Sequence, residues 1–265
     1  MNRCRLSVVV PHIIKFDSVD STNALLKELA QKGANEGTVV VATTQHAGRG
    51  RGGRIWHSPE GGLYFSLLLK SYPNRRPTDM ALLAGAVMAQ TVKHFCPQPC
   101  LVGVKWPNDC LLEGKKVGGV LCEAIDHGDS AALIIGVGIN INTPLSELEP
   151  FMGRPFGATS LREGCGGKCF ELESILERFL KVFFEHYPKY LEEGFLFLQT
   201  LWERECLFIG KNVELRNTGT TEESKDNAGG VRGTFLGIDE QGAIVLSDSC
   251  GNRRSYVTGE MTCCW

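Results

Sequence analysis

Four apolar segments constrain this chain more than any other feature. They are GTVVVATTQ (37–45), GGLYFSLLLK (61–70), KKVGGVLCEAI (115–125) and AALIIGVGININ (131–142). Runs this continuously apolar read as strands of a buried sheet. Helical spacing lies between and after them. In DSVDSTNALLKELAQKG, Ser21, Thr22 or Asn23 can cap a helix whose apolar face is Leu25, Leu26 and Leu29 and which Gly33 stops. TDMALLAGAVMAQTVKHF has helix length with Thr78 as its cap, and residues 170–206 form a long helical part broken near Pro188 and Gly194. LVGVKW (101–106) is a further strand.

Near Gly210 the texture changes. KNVELRN, VRGTFLGID, GAIVLSDS and RRSYVTGE are short strands separated by turn residues, with a polar stretch, TGTTEESKDNAGG, after the first. This divides the 265 residues into a larger unit, 1–208, and a small all-β unit, 209–265, with the texture of a little barrel. The fold class is α+β.

Composition excludes some functions. With 28 basic and 30 acidic residues the net charge is −2, against a general nucleic-acid binder. No apolar run approaches the ~20 residues of a membrane span. Arg3, Arg5 and Lys15 precede the first acid, Asp17, apart from which the N-terminus reads better as a first strand than as an import signal. The 11 cysteines contain no CxxC, and neither Cys96/Cys100 nor Cys165/Cys169 has a histidine nearby to complete a zinc set; they read as free thiols of a reducing cytosol.

Four stretches can carry chemistry. AGRGRGGRIW (47–56) joins two apolar strands between Gln45 and Trp56. Its glycines let backbone approach a ligand, and Arg49, Arg51 and Arg54 supply forked donors for phosphate or carboxylate. No P-loop spacing is present. The setting suits a lid over a site, against a solvated surface loop or an RGG-like segment. In KWPNDCLLEGKKVGGVLCEA (105–124), Pro107 and Asn108 turn the chain, and a hairpin closed at Gly114 could aim Asp109 and Lys116 at a common space; the alternative is a solvated surface hairpin. Ser21, Thr22 and Asn23 either cap a helix or bind the polar face of a small ligand. Asn140 and Asn142 close a buried strand, to read a base edge or only to turn, and Gly136 and Gly138 do not complete a dinucleotide fingerprint.

Taken in this order, DSTN, QHAGRGRGGRIWHSPEGGLYFS, KWPNDCLLEGKKVGGVLCE and GVGININ resemble the biotin protein ligases from about residue 16 to 142. The resemblance implies a mixed-sheet biotin/lipoate ligase-like catalytic domain followed by an SH3-like barrel. It implies a ligase that joins biotin to ATP as biotinyl-5′-AMP, with Mg2+, and then passes biotin to a lysine of a biotin carboxyl carrier domain. The opening loop's anions would be the ATP phosphates and the adenylate. Some twenty residues precede the ligand motif, too few for the helix-turn-helix of some members, so neither repressor activity nor nucleic-acid binding is expected. The protein is expected to be cytoplasmic and free of the membrane, and a homodimer is left open.

Carried over by residue, Ser21, Thr22, Asn23, Gln45, Gly48, Arg49, Arg51, Lys116 and Gly118 would hold biotin. Arg49, Arg51, Arg54, Trp56, Asn108, Lys116, Asn140 and Asn142 would hold ATP or the adenylate. Lys116 and Arg51 would serve charge at the reacting phosphate, and Asp109 would orient or deprotonate the incoming lysine. The magnesium ligands are not legible. Gly52 stands where relatives often carry another arginine. A lipoate or octanoate ligase of the same fold is the alternative enzyme, and an RGG-type RNA-binding module the alternative class.

Overall fold

The computed structural model describes residues 9–70, 76–97, 99–127, 130–151, 156–216 and 230–263. The basic start of the chain, nearly all of the polar stretch 217–230 and the last residues of MTCCW lie outside them.

β1 (His12–Val19), α1 (Thr22–Gln31) and β2 (Thr38–Gln45) make a β-α-β unit with β1 and β2 parallel. β3 (Gly62–Lys70) then adds antiparallel to β2. α2 (Pro77–Phe95) crosses the sheet to its far edge, from which β4 (Val102–Lys105), β5 (Asp109–Leu112), β6 (Lys115–His127) and β7 (Ser130–Asn140) return as an antiparallel meander. The mixed sheet has the order β1-β2-β3-β7-β6-β5-β4.

β3 is buried along its length except at Lys70. Leu63, Phe65, Leu67 and Leu69 enter the main core, and Leu68 enters a smaller core beneath α1 with Leu26, Val40 and Ile134. A central strand covered on both faces needs apolar residues at both parities, so the run does not alternate.

Two helical expectations are corrected. Arg76 is the residue before α2 and Pro77 opens it. Proline's fixed φ and missing N–H suit the first helical position, which moves Thr78 inside the first turn. Pro188 does not break the long helix. α5 (Leu172–Glu193) runs through it and ends at Gly194, where φ is 73° and ψ −155°. The lost backbone bond is tolerated because Phe183, Tyr187 and Tyr190 on either side of it are buried in the main core. α6 (Phe195–Glu205) follows, and the short α3 (Leu145–Leu148) and α4 (Leu161–Gly164) lie between β7 and α5.

β8 (Asn212–Arg216), β9 (Val231–Ile238), β10 (Ile244–Ser247), β11 (Arg253–Tyr256) and β12 (Glu260–Cys263) form a second, antiparallel sheet, order β11-β10-β9-β8-β12. Its two edge strands are consecutive in the chain, joined only by residues 257–259. That link reaches at most ~14 Å, whereas five flat strands would stand roughly 19 Å across. The sheet therefore curls toward closure, as the barrel-like texture suggested.

The two sheets share one core. Val213, Leu215 and Phe235 are fully buried in the cluster that holds Trp202 of α6, and the Trp202 and Phe235 rings meet edge to face at 6.4 Å. Cys96, Cys100, Cys110, Cys122, Cys165, Cys169, Cys206 and Cys250 are free, with the sulfurs of Cys96 and Cys165 3.4 Å apart. No helix among them is long and apolar enough to cross a membrane. Phe235→Ala should cost about 3–5 kcal/mol and lower the urea midpoint of the whole chain in one transition. Two separated transitions would show that the second sheet unfolds independently.

Candidate active site

The ends of β1, β2 and β7 and the starts of β3 and β6 meet at one end of the sheet. A cleft opens there, lined from α1, the arginine-glycine loop, the KWPND turn, β6, β7 and the second sheet.

Ser21 caps α1, its hydroxyl accepting from the Ala24 amide at 3.5 Å. Capping puts the next two side chains, Thr22 and Asn23, at the cleft floor, where both are buried. Gln45 Oε1 accepts from the Thr22 amide at 2.9 Å, and its Nε2 donates to Ser58 at 2.8 Å. Ser66, on the opposite parity of β3 from the core leucines, donates to Asn23 Oδ1 at 2.6 Å, and Asn23 Nδ2 donates to Glu123 at 2.6 Å. These groups form one polar network that ends in the cleft, suited to a small ligand with fixed donors and acceptors.

β7 supplies space. A Cβ on Gly136 would overlap the Asn23 side chain, and one on Gly138 would lie 2.5 Å from Trp56 Nε1. Two residues apart on a strand, both glycines face the cleft. Trp56 Nε1 is buried with no hydrogen-bond partner in the described structure, and Lys116 Nζ lies 5.3 Å from the Trp56 ring centre.

The loop is folded back on itself. The Gly50 amide donates to Arg54 O at 2.7 Å and the Trp56 amide to Gly48 O at 2.9 Å. A Cβ on Gly48 would lie 2.5 Å from Trp56 O, so this glycine lets the two legs meet and does not line the cleft. The tip is a short 3-10 turn with Gly52 at φ 65°, a conformation that disfavours any side chain there. Arg49, Arg51 and Arg54 all line the cleft. Burial lowers the Arg51 guanidinium below its ordinary pKa, and Asp109 works in the opposite sense. Arg54 reaches Glu260 of β12 at 2.9 Å.

The hairpin brings Asp109 and Lys116 together. Lys116 Nζ lies 2.5 Å from Asp109 Oδ1, and Lys105 Nζ lies 3.0 Å from Oδ2. Burial alone would raise the Asp109 pKa, but the two ammonium groups overcome it and hold the carboxyl well below the usual range. The Trp106–Pro107 bond is cis. Trp106 Nε1 donates to Gly242 O in the turn between β9 and β10 at 3.0 Å, and Asn108 Nδ2 to Val120 O at 2.6 Å.

Two more expected site residues stand elsewhere. A Cβ on Gly118 would meet Met88 of α2, so Gly118 faces the core; its neighbour Gly119 faces the cleft, as the two-residue period of a strand requires. Asn142 spends both amide atoms on the backbone of Phe170, at 2.8 and 2.9 Å, and lies outside the cleft. Asn140 does line it, with Nδ2 bonded to Thr159 O at 3.0 Å.

Sequence reasoning missed Lys105, Gly136, Gly138, Glu260 and the segment with Leu148 and Phe151, all of which line the cleft. The paired glycines carried a readable signal, equal parity on one strand. Glu260 carried none, because its approach to Arg54 depends on how the second sheet packs.

Residues 15–140 match the model of the biotin/lipoate A/B protein ligase family. The chain is 34% identical over 255 residues to the bifunctional ligase/repressor BirA of Bacillus subtilis, covering 95% of this chain and 74% of the relative. It is 29% identical to the biotin–[acetyl-CoA-carboxylase] ligase of Paracoccus denitrificans, covering 88% and 93%. Among solved structures it is similar to the biotin protein ligase from Aquifex aeolicus in complex with biotin and ATP, with a TM-score of 0.75, 31% identity, and 95% and 97% of the two chains covered. These likenesses span the cleft and both sheets, and the chain belongs to the biotin protein ligase family.

Proposed function

We propose that this ligase joins biotin to ATP in the cleft and transfers the biotinyl group to a lysine of a biotin carboxyl carrier domain. The observation that carries the reading is one cleft lined both by the polar side chains of Thr22, Asn23 and Gln45 and by Lys116 with three arginines. The network of Thr22, Asn23 and Gln45 suits the ureido ring, a compact group with donors and acceptors. A lipoyl or octanoyl chain has no matching donors and acceptors to offer those groups, which disfavours that alternative.

In the first half-reaction a biotin carboxylate oxygen attacks the α-phosphorus of ATP. The new P–O bond forms as the bond to the β-phosphate bridging oxygen breaks, giving biotinyl-5′-AMP and pyrophosphate. Lys116 and Arg51 supply fixed positive charge where charge gathers on the α-phosphate. The unpaired Trp56 Nε1 and the Asn140 side chain support a nucleotide on the same side. In the second half-reaction the acceptor amine attacks the carbonyl carbon, the amide bond forms, and AMP leaves with the bond electrons. The proton lost by the amine passes to solvent. Asp109, held strongly ionised, is a poor base, so it orients the amine.

Magnesium is expected with ATP, but the donor set does not form a dedicated site. No group of three His, Cys, Asp or Glu among the described residues could hold a metal, and the cleft carboxylates Asp109 and Glu260 are already paired with cations. We assign no step to it. Residues 209–265 support the nucleotide end, since Gly259 and Glu260 line the cleft beside Arg54.

The test is pyrophosphate release with ATP, Mg2+ and either biotin or lipoate. Release with biotin alone supports the reading, and release with lipoate alone overturns it. Lys116→Ala should slow single-turnover adenylation on the order of 10²–10³-fold with a smaller effect on biotin affinity by calorimetry. Adenylation at wild-type speed would remove Lys116 from this role. Arg51→Gly should still form biotinyl-5′-AMP but release it about 10–150-fold faster, the loss of one charge-assisted hydrogen bond. Freed adenylate acylates exposed lysines, so streptavidin blots of a carrier–albumin mixture should show labelled albumin. Unchanged specificity and off-rate would reduce the loop to an electrostatic patch.

A further inference from the structure

Lys105 is a buried charge that the two half-reactions leave without a task. It is 5% exposed, its Nζ lies 3.0 Å from Asp109 Oδ2 and 5.0 Å from the centre of the Phe156 ring. Lys116 contacts the other oxygen, Oδ1, and its side chain is 33% exposed against 6% for Lys105. Both lysines line the cleft, Lys105 as the buried cation against Oδ2 and Lys116 as the more accessible one against Oδ1. Gly119 lines the cleft beside this pair, and a Cβ there would lie in ordinary contact with Lys116 Cε and Nζ and with Asp109 Oδ1, at 3.4–3.6 Å.

Resting on the functional reading above, we propose that Lys105 is a positioning residue for the transfer step. It holds Asp109 Oδ2 so that Oδ1 remains a seat for an ammonium group. Lys116 fills that seat in this structure, and the acceptor lysine takes it once Lys116 turns to the adenylate.

The physical need is charge compensation. Lys116 cannot serve a phosphate and Asp109 at full strength together. When the anion draws it away, a carboxylate with no second cation would be left buried and unpaired, the costliest outcome for a charge pair. Lys105 prevents this while leaving Oδ1 free. The seat also orders the reaction, because an acceptor lysine has no place at Asp109 until an anion has moved Lys116. The groups facing Asp109 are Lys105 from β4, Lys116 from β6, Arg51 from the loop and the neighbouring Cys110 thiol.

The sign of the pH effect follows. A positive neighbour disfavours the ammonium form of the acceptor and the protonated form of Asp109. Removing Lys105 stabilises both, so the reactive state is reached only at higher pH. With isolated biotinyl-5′-AMP and a carrier domain, Lys105→Met should slow transfer about tenfold near neutral pH and move the acid limb of the rate profile up by about one unit. Lys105→Arg, which keeps the charge, should keep the wild-type profile. In an Asp109→Asn background Lys105→Met should add little, since the two act through one contact.

A purely structural role would lower the rate equally at every pH and add to Asp109→Asn; either result overturns the proposal, as does an unchanged profile. If Lys105→Met is too unstable to assay, the Lys105→Met/Asp109→Asn double variant, which carries no unpaired carboxylate, should fold. Failure of that double variant to fold would also overturn it, because Lys105 would then be needed for more than Asp109. A wild type that forms no biotinyl-5′-AMP from biotin and ATP would sink the functional reading itself. A wild type that completes both half-reactions while the Lys105→Met profile stays put would sink only the role given to Lys105.

Discussion

Asp109 is held between two ammonium groups, and the elements that build the cleft meet at this carboxylate. Lys105 ends β4, Asp109 begins β5, and Lys116 arrives from β6. Gathering three charges in so small and largely sheltered a volume is costly unless each is paired. The requirement fixes the relative position of three strand ends more tightly than apolar packing could, because hydrophobic contact is not directional. The same cluster leaves one net positive charge facing the cleft. An anion is therefore the natural complement, and a carboxylate or phosphate arriving there meets a site already arranged for it.

Space in the cleft is set by the absence of side chains. Gly136 and Gly138 lie on the cleft face of β7, and Val137 and Ile139 lie on its core face. The strand thus keeps an apolar face for α2 while its other face is cut away for Asn23 and Trp56. Such glycines weaken a strand. Here β7 is flanked on both sides by long partners, β3 and β6, whose ladders pair residues 132–140 and 130–139 of it. The central position in the sheet offsets the cost of opening the site.

The elements legible in the sequence were those whose signal is local. Continuous apolar runs marked β2, β3, β6 and β7, Ser21 at a helix start marked α1, and the change of texture near Gly210 marked the second sheet. Asp109 and Lys116 were brought together by a hairpin whose turn, Gly114 at φ 74°, is a local signal too. Failures came where context outside the local window decides. Thr78 is a good cap by type, yet Pro77 before it fits the first helical position better. Pro188 should break a helix, yet buried aromatics on both sides carry α5 through it. Gly118 was assigned one residue from the cleft-facing Gly119 because motif resemblance does not carry strand parity. Lys105 was overlooked because nothing local distinguishes a buried lysine at a strand end from a solvated one.

The second sheet matters to the site through contacts of different strength. Trp106 is 1% exposed and donates its indole N–H to Gly242 O at 3.0 Å, so the turn that carries Asp109 is braced from behind by a dry hydrogen bond. The Arg54–Glu260 pair is different, with side chains 57% and 37% exposed. Pairs so wet contribute under about 1 kcal/mol, too little to hold a loop against the entropy of ordering its glycines. Backbone bonds at Gly50 and Trp56 keep the loop's two legs together without fixing the direction in which its tip points. On the proposed function, the tip takes its order from what Arg49, Arg51 and Arg54 find in the cleft. That dependence answers why a loop with three arginines is also so rich in glycine. The charges provide the attraction, and the glycines ensure that little else competes with the ligand to set the tip's position.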